Sequence, residues 1–435
     1  MFGYYIDLAL RSLKRSPILT ALMVLAIGLG IGASMTMITV LHVMDGDPLP
    51  GRSAHLYRPY LDPLPLAYRQ SKFAQDPSND MTWPDAMALL RSHLGVHQAA
   101  MAGGGLEARS NDPAGRPQRV EGRYTTPGFF AMFGVPFLHG EPWSTNDEAR
   151  RARVVVLAQS LARRLFGSAA AVGRSVTLGG HDFQVIGVTS DWHPRPLFYA
   201  EAHERKFSGA DAFFLPLSTA VDLKLDVNAT SGWGKGDAVT LTSSSVSWLQ
   251  FWVQLDTSVQ VAAYRRFLFE YASAQKAAGR FERPPQEARL YSLAGWLDHQ
   301  KLIPADVRLQ AWLALGFLFV CMVNIVALLL AKFLRRTGEI SVRRALGARR
   351  GSIFLQFGVE SALIGLGGGA LGLVLAEIGL WSVRQRPDDY AHLAQMDASM
   401  LLGTFSLAVL ASVLAGLLPA WRACRIPPAL QLKVL

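Results

Sequence analysis

Four long apolar segments constrain this chain more than any other feature of its sequence. A helix needs about 20 consecutive apolar residues to cross the hydrocarbon core of a bilayer. Segments of about that length lie at Ser16–Met44, at Leu309–Ala331, within Ser352–Val383 and at Ala398–Trp421. The pattern predicts an α-helical membrane protein with four transmembrane helices. The long polar stretch between the first two segments must then fold outside the bilayer.

The positive charge of the chain is concentrated beside these apolar segments. The net charge is +10, but residues 45–308 carry 28 Lys and Arg against 26 Asp and Glu. Most of the excess lies in three pieces, 1–16, 332–351 and 422–435. Lys and Arg clustered beside membrane spans follow the positive-inside rule, which places these pieces in the cytoplasm. This distribution excludes nucleic acid as a partner and makes membrane lipid the expected surroundings.

The charge pattern divides the chain into membrane and aqueous pieces. Transmembrane helices are expected at 17–44, 309–331, 352–383 and 398–421. Outside the membrane we expect a large region at 45–305 and a short loop at 384–397. The cytoplasmic pieces are an amphipathic N-terminal helix, a connector between the second and third spans, and a C-terminal tail.

The first apolar segment has an alternative interpretation as a cleaved signal peptide. A signal peptide has an apolar core of about 7–15 residues before a small-residue cleavage site. Ser16–Met44 is longer than that and leads directly into MDGDPLP. The only two cysteines, Cys321 and Cys424, lie within or beside later spans. We therefore expect a retained span, and an external region that folds without disulfides.

The external region mixes helical and strand patterns, which predicts an α+β domain. Helical patterns cover Trp83–His93, Ser160–Phe166 and Val259–Ala277. Strand patterns cover Gln118–Gly122, Arg153–Leu157, Ser175–Leu178, Phe183–Val188, Trp248–Leu255 and Ala288–Leu293. Gly179-Gly180 predicts a hairpin turn between two of these strands. The Gly-, Ser- and Thr-rich stretch 229–247 predicts a loop or a subdomain boundary.

Residues 2–15, FGYYIDLALRSLKR, predict an amphipathic helix at the membrane surface. Tyr5, Leu8 and Leu13 belong to its apolar side, and Arg11 and Lys14 can reach anionic headgroups. The alternative is a positive flank that only orients the first span.

Glycines in the third apolar segment predict close helix packing. Small residues four apart allow two helix backbones to approach closely. The pairs are Gly365 with Gly369 and Gly368 with Gly372. The alternative is the ordinary enrichment of glycine in membrane helices.

Two carboxylates, Glu360 and Glu377, also lie in the third apolar segment. Charged groups inside a bilayer are costly and are often functional, for example as proton relays. Both positions are near the ends of their segment, so interfacial or helix-packing roles are favoured over a proton-coupled transporter.

No catalytic or nucleotide site is evident. The stretch ATSGWGKGD, residues 229–237, lacks the first glycine and the final hydroxyl residue of a phosphate-binding loop. His93 and His97 have the spacing of two zinc ligands on a helix, but no third ligand is evident, which favours a structural role. We expect a non-catalytic chain without a cofactor or metal.

The connector between the second and third spans contains EISVRRALGA, residues 339–348. Its composition favours a short helix ending at Gly347. A short helix can dock on a partner through an apolar anchor and flanking charges. The alternative is a loop that only orients the chain, although orientation alone does not require this sequence. The expected contact residues are Glu339, Ile340, Arg343, Arg344, Leu346 and Gly347.

Several further motifs accompany the connector. Near it stand Asn324-Ile325, Arg335-Arg336, Ile353, Gln356 and Glu360. The C-terminus carries Pro419–Ala423 and Pro428–Leu430. The external region carries Tyr124–Phe130, Gly134–Pro136, Gly140, Leu161–Gly167, Val172–Arg174 and Val185–Val188. Together these motifs resemble the MacB/FtsX-type ABC-transporter permeases, and the large external region resembles the MacB branch. The match is weakest over 190–247, and Trp421 departs from it.

The resemblance implies a permease in the bacterial inner membrane, with its large domain in the periplasm. A porter-like part would comprise about 50–145 and 246–300, with a smaller subdomain inserted at 146–245. The connector would contact a cytoplasmic ABC ATPase dimer, which binds the ATP and magnesium. A second permease copy or a related permease would complete the assembly, and family members often work with a periplasmic adaptor and an outer-membrane channel.

The function implied by the resemblance is mechanotransmission. ATP hydrolysis in the partner would move the periplasmic domain and drive efflux of a drug, peptide or similar substrate. Two alternatives are a lipoprotein-release permease and a transmembrane signalling module that regulates a periplasmic partner. The size of the external domain favours transport over signalling.

Overall fold

The computed structural model describes residues 2–68, 79–110, 117–199, 206–207, 209–233, 240–303, 305–335, 350–387, 390–396 and 398–425. The chain divides into two compact units. Met1–Asp45 and Ile303–Leu435 form the membrane unit, and Gly46–Leu302 forms the second unit, called the sheet unit.

The described helices and strands are numbered here in chain order. The helices are α1 (Phe2–Arg15), α2 (Pro17–Met44), α3 (Trp83–Ser92), α4 (Gly128–Phe133), α5 (Thr145–Ala149), α6 (Gln159–Phe166), α7 (Leu217–Asp222), α8 (Ser258–Ala277), α9 (Leu293–His299), α10 (Ala305–Leu334), α11 (Arg350–Arg384) and α12 (Ala398–Arg425). The strands are β1 (Leu56–Tyr60), β2 (Met81–Thr82), β3 (His97–Ser110), β4 (Gln118–Thr125), β5 (Phe137–Gly140), β6 (Val154–Ala158), β7 (Ser175–Leu178), β8 (His181–Thr189), β9 (Phe213–Pro216), β10 (Ser231–Gly232), β11 (Val246–Gln254) and β12 (Arg289–Ser292).

Three helices of the membrane unit, α2, α10 and α11, are long and apolar enough to cross a bilayer. Large apolar side chains such as Leu309, Trp312 and Phe319 are exposed on α10, as expected of a helix surrounded by lipid. In α12 the apolar part among the described residues, Leu402–Gly416, is shorter. Three predicted spans therefore have matching helices, and the fourth span stays a prediction.

The membrane helices share one apolar core. It includes Met23, Ile27, Ile31, Ile325, Leu329, Phe333, Ile353, Phe357, Ile364, Ala408 and Ala415. The short helix α1 contacts α11 and buries Ala9 and Ser12, while Ile6, Leu10 and Arg11 are exposed. The predicted N-terminal helix is therefore present, with one side buried and the other exposed, and its contact with lipid stays a prediction.

The sheet unit is organised by a 12-stranded sheet. The main strand order is β12-β1-β11-β3-β4-β9-β6-β8-β5, with β2 and β10 also paired to β11 and β7 paired to β3 and β8. The pairs β4–β9 and β6–β8 are parallel, and the other pairs are antiparallel. This mixture of sheet and helices is the predicted α+β architecture. The predicted division into porter-like and inserted parts stays a prediction, although β5, before residue 146, pairs with β8.

Two apolar cores use the alternation of side chains along the strands. On β11, Phe251 and Val253 belong to one core, and Trp252 belongs to the other. The second core is rich in aromatic residues, among them Phe129, Phe133, Trp143, Phe198, Tyr199, Phe214 and Trp296. Nearly every residue of β11 is buried, so this strand lies in the interior of the unit.

Most predicted elements of this unit have observed counterparts. Ser175–Leu178 is found with the predicted bounds, and the predicted hairpin is also confirmed. Leu178 pairs with His181, and Gly179 and Gly180 have φ values of +55° and +82°, which glycine adopts without a side-chain clash.

The long strand β3 was not predicted, because its centre contains the run Gly103–Gly105 and glycine is uncommon in strands. The structure explains Gly104, since a Cβ atom there would lie 2.3 Å from the Tyr124 ring on β4. The glycine accommodates a ring that is itself fully buried. A close contact across the sheet, rather than local propensity, therefore determines this part of β3.

Candidate functional site

The predicted docking connector lies between α10 and α11. Helix α10 ends at Leu334 and α11 begins at Arg350. The six predicted contact residues fall between these helices, outside the described residues: Glu339, Ile340, Arg343, Arg344, Leu346 and Gly347. The candidate site is therefore built from the helix ends that border the connector.

One predicted pair of glycines faces α12. A Cβ atom on Gly365 would lie 2.8 Å from the Ser412 Cβ, and one on Gly369 would lie 2.9 Å from the Ala408 Cβ. Both distances are shorter than a side-chain contact allows, so α11 and α12 meet at these positions only because no side chain intervenes.

The other predicted pair faces α2. A Cβ atom on Gly368 would lie 2.4 Å from Ile27 Cγ2, and one on Gly372 would lie 3.1 Å from Ile31 Cγ2. In return, a Cβ atom on Gly32 of α2 would lie 2.7 Å from the Leu375 Cβ. The two pairs therefore lie on different sides of α11, and each contacts a helix of the same chain.

The two intramembrane carboxylates have different surroundings. Glu377 is half-exposed and lies 2.5 Å from Arg384 Nη2 near the end of the same helix. Glu360 is fully buried, and its Oε1 lies 2.6 Å from Lys332 Nζ of α10. Ser12 of α1 also donates a hydrogen bond to Glu360 Oε1. Glu360 thus has the predicted helix-packing position but does not reach an exposed interface.

Buried ion pairs also occur in the sheet unit. Arg123 on β4 donates from Nε and Nη2 to Asp211, at 3.2 and 3.1 Å, and Tyr199 donates to the same carboxylate at 3.0 Å. Arg280 and Tyr271 bind Asp85 at the start of α3. These contacts join separate strands, helices and loops, so their arrangement is that of structural supports rather than a reactive centre.

A half-buried carboxylate, Glu148, joins α5 to α7. Its two oxygens accept hydrogen bonds from the Ser218 backbone N–H at 2.7 Å and from Trp143 Nε1 at 2.9 Å. Burial raises the pKa of Glu148, and the hydrogen bonds from Ser218 and Trp143 oppose that shift. The neighbouring Asp147 has the opposite behaviour, because hydrogen bonds from Ser144 lower its pKa to about 2.

The described residues of the two weak motifs in the sheet unit do not come together as a site. His93 follows α3 with a left-handed φ of 51°, whereas His97 begins β3, so the two histidines do not share a helix face. Within the described part of the chain, no group of three metal-ligating side chains is found. In the phosphate-loop-like stretch, Ser231–Gly232 pairs with β11, and residues 234–237 lie outside the described residues.

Sequence reasoning missed two members of the polar cluster around Glu360. The sequence pattern places Lys332 in a positive flank and Ser12 in an amphipathic helix, and it identifies neither as a partner of Glu360. The available signal was the carboxylate itself, because a buried charge in a membrane requires a partner of opposite charge. Nothing in the spacing of three distant segments identified which partner it would be.

Comparison with known proteins identifies both halves of the chain. Residues 20–266 match the family described as MacB-like periplasmic core domain, and residues 312–428 match the FtsX-like permease C-terminal family. The first match alone covers more than half of the chain. The chain belongs to the MacB/FtsX-type ABC-transporter permeases. This permease is thus a membrane protein with a periplasmic domain.

Two curated relatives illustrate the similarity. The pyoverdine export ATP-binding/permease protein PvdT of Pseudomonas entomophila is 26% identical over 376 residues, covering 82% of this chain and 49% of the relative. The macrolide export ATP-binding/permease protein MacB of Rhodospirillum rubrum is 27% identical over 448 residues, covering 99% of this chain and 60% of the relative. The permease thus spans roughly half the length of the curated relatives it matches.

Among solved structures, the periplasmic region of MacB from Actinobacillus actinomycetemcomitans is 15% identical, with a TM-score of 0.37. The similarity covers 56% of this chain and 92% of that structure.

Proposed function

We propose that this chain is the permease subunit of a mechanotransmission ABC transporter. ATP hydrolysis by a separate ATPase moves its periplasmic domain and drives efflux of a drug, peptide or similar substrate. The observation that carries the proposal is the insertion of the whole sheet unit between α2 and α10. These two helices pack in one bundle with α11, so a rearrangement of the bundle acts directly on both chain ends of the periplasmic domain.

The proposed topology has four spans in the bacterial inner membrane, with α12 as the fourth. The N-terminus, the connector and the C-terminal tail lie in the cytoplasm, as the clustered Lys and Arg residues favour. Reporter fusions after residue 200 should report a periplasmic location, and fusions near 345 and 435 a cytoplasmic one. A cytoplasmic reporter at 200, or a periplasmic one at 435, contradicts this topology.

The connector is the proposed contact with the ATPase. Arg343 and Arg344 pair with acidic groups, and Ile340 or Leu346 fills an apolar groove, with Glu339 and Gly347 at the two ends of the docked segment. The ATPase binds the ATP and magnesium, and this chain is non-catalytic and holds no cofactor. The proposal is supported by the position of the connector between two helices of the shared core.

The proposed assembly contains two permeases, either two copies or this chain with a related one, and an ATPase dimer. A periplasmic adaptor and an outer-membrane channel complete the path out of the cell. Export is favoured over lipoprotein release because the curated relatives are described as exporters of pyoverdine and of macrolides.

Leu346→Asp tests the proposed contact. The added charge should preserve insertion and expression but abolish co-purification of the ATPase and export, because an apolar anchor can no longer enter its groove. Leu66→Asp is a matched control, since Leu66 is exposed in the sheet unit, away from the connector in sequence. If the ATPase co-purifies equally with both variants and export is normal, the connector only orients the chain in the membrane.

A further inference from the structure

Three polar side chains from three helices meet inside the membrane unit. The Glu360 carboxylate of α11 lies 2.6 Å from Lys332 Nζ of α10 and accepts a hydrogen bond of 2.5 Å from Ser12 Oγ of α1. The exposed fractions of Ser12, Lys332 and Glu360 are 6%, 2% and 0%. The cluster is therefore enclosed by protein rather than solvated at a surface.

The position of the cluster links the connector to α1. Lys332 lies two residues before the end of α10 at Leu334, where the connector begins. Glu360 lies on α11, the helix that begins where the connector ends. Next to the ion pair, the Phe333 and Phe357 rings stack with centroids 4.0 Å apart. The two helices that border the connector are thus joined to each other by a charge pair and a ring pair, and to α1 by a hydroxyl.

A gain in stability does not by itself explain why charged and hydroxyl side chains, rather than apolar ones, occupy these buried positions. A buried ion pair can often be replaced by apolar residues of similar volume without loss of stability, whereas removal of one partner leaves an uncompensated charge. What a buried polar contact can add is a defined relative position of the elements it joins. Two of the three helices joined here, α10 and α11, border the connector, so a partner bound to the connector would act on them.

We propose that Ser12, Lys332 and Glu360 are positioning residues that hold α1, α10 and α11 together as one moving body. Movement of the connector then shifts α1 along with both bordering helices, and transmits the shift to the rest of the bundle. The functional part of this inference rests on the proposed ATPase-driven mechanism. The structural part, that the cluster fixes the position of α1, does not.

The structural part can be tested on the full-length permease without any ATPase. Spin labels at Gly3→Cys and Gly351→Cys, in a Cys321→Ala/Cys424→Ala background, report the distance from α1 to the start of α11 by pulsed electron paramagnetic resonance. Both label sites are open, because a Cβ atom at either glycine would meet no other atom within 4 Å. Glu360→Gln should broaden the distance distribution clearly, and Ser12→Ala should broaden it less.

Glu377→Gln is the matched control, because Glu377 lies on the same helix but pairs only with a residue of that helix among its described contacts. This variant should leave the distribution unchanged. An unchanged distribution in Glu360→Gln and Ser12→Ala would overturn the inference, whatever the transport activity.

The functional part uses the permease with its ATPase, and measures export per ATP hydrolysed. Glu360→Gln should lower this ratio about tenfold, within the usual range of coupling between sites, while the ATPase still co-purifies. The charge-exchanged pair Lys332→Glu/Glu360→Lys should restore the ratio. Lys332→Met/Glu360→Met should retain thermal stability but not coupling, a separation that a purely structural role does not predict.

Wild-type coupling in the double Met variant would overturn the inference. Failure of the unmodified permease to bind an ATPase would instead count against the proposed function, and the spin-label distances would still decide whether the cluster holds α1.

Discussion

In the membrane unit α11 packs through glycines against helices on two sides, whereas in the sheet unit β11 packs through large side chains on both faces. On α11, Gly365 and Gly368 leave no room for a side chain, because neighbouring helices approach the backbone closely there. On β11, Phe251 and Trp252 fill opposite cores. In lipid, apolar burial does not favour the interior over the surroundings, so helices associate through close backbone approach and polar contacts. In water, burial of large rings itself drives folding.

The two units also use hydroxyl groups and charges differently. In the membrane unit, Ser34 of α2 donates to the Ala314 carbonyl at 3.0 Å, and Ser412 of α12 donates to the Ser361 carbonyl. Such contacts join helices along their length. In the sheet unit, two buried arginines among the described residues pair with aspartates, Arg58 with Asp80 and Arg123 with Asp211. In the membrane unit these hydroxyl groups bridge neighbouring helices, and in the sheet unit the buried charge pairs join segments that are distant in sequence.

The largest effect is expected from Arg123→Met, which tests the dependence of the sheet unit on its buried charge pairs. Asp211 would be left buried without its bidentate partner, and such a loss destabilises a protein by about 3–5 kcal/mol. Thermal unfolding of the full chain, followed by tryptophan fluorescence, measures this change.

Arg119→Met on the same strand is the control. Its pair with Glu121 is exposed, and exposed pairs contribute about 0–1 kcal/mol. Equal losses in both variants would mean that burial of the charge pair is not what matters.

Gly368→Leu tests the membrane unit. The new side chain would overlap Ile27 of α2, and overpacking of this kind costs about 1–3 kcal/mol. We expect less folded permease after heating in detergent, measured by size-exclusion chromatography. Gly316→Leu is the control, since nothing lies within 4 Å of a Cβ atom there. A fully stable chain that loses only its pairing would place the Gly368 contact between copies and break the comparison.

The smallest effect concerns pH and the Glu148 carboxylate. Because burial raises its pKa in the folded state, the folded chain binds the proton more tightly than the unfolded chain does. Stability from this group is therefore present below the ordinary glutamate pKa and is lost as pH rises through the raised value. Denaturant unfolding across the mildly acidic range measures how stability changes with pH, and the contribution of Glu148 is the difference in slope between the wild-type chain and Glu148→Gln.

At neutral pH that variant should lose little stability, because the amide removes a buried charge, which offsets the loss of one of the two oxygens that accept from Ser218 and Trp143. A Glu148→Gln chain with the wild-type pH slope would assign the slope to another group.

Local sequence patterns predicted much of the fold. Long apolar runs identified α2, α10 and α11, and strand periodicity with Gly179-Gly180 identified the β7–β8 hairpin. The sequence pattern did not predict strand β3, because Gly104 is explained by a contact with Tyr124 on another strand. The partners of Glu360 were not predicted for a similar reason, since Ser12 is 348 positions away in the sequence. The sequence indicated that a carboxylate in an apolar segment is costly, but it did not indicate which residues would pair with it.

The contact between Gly104 and Tyr124 makes substitutions at these two positions depend on each other. The ring occupies the space of any side chain at 104, and its hydroxyl donates to the Asp226 carbonyl at 2.9 Å. A mutation to alanine at 104 is therefore tolerated only after position 124 has become smaller, and a smaller residue at 124 gives up the link to Asp226. Among relatives, these two sites should change in a fixed order and should be inherited together.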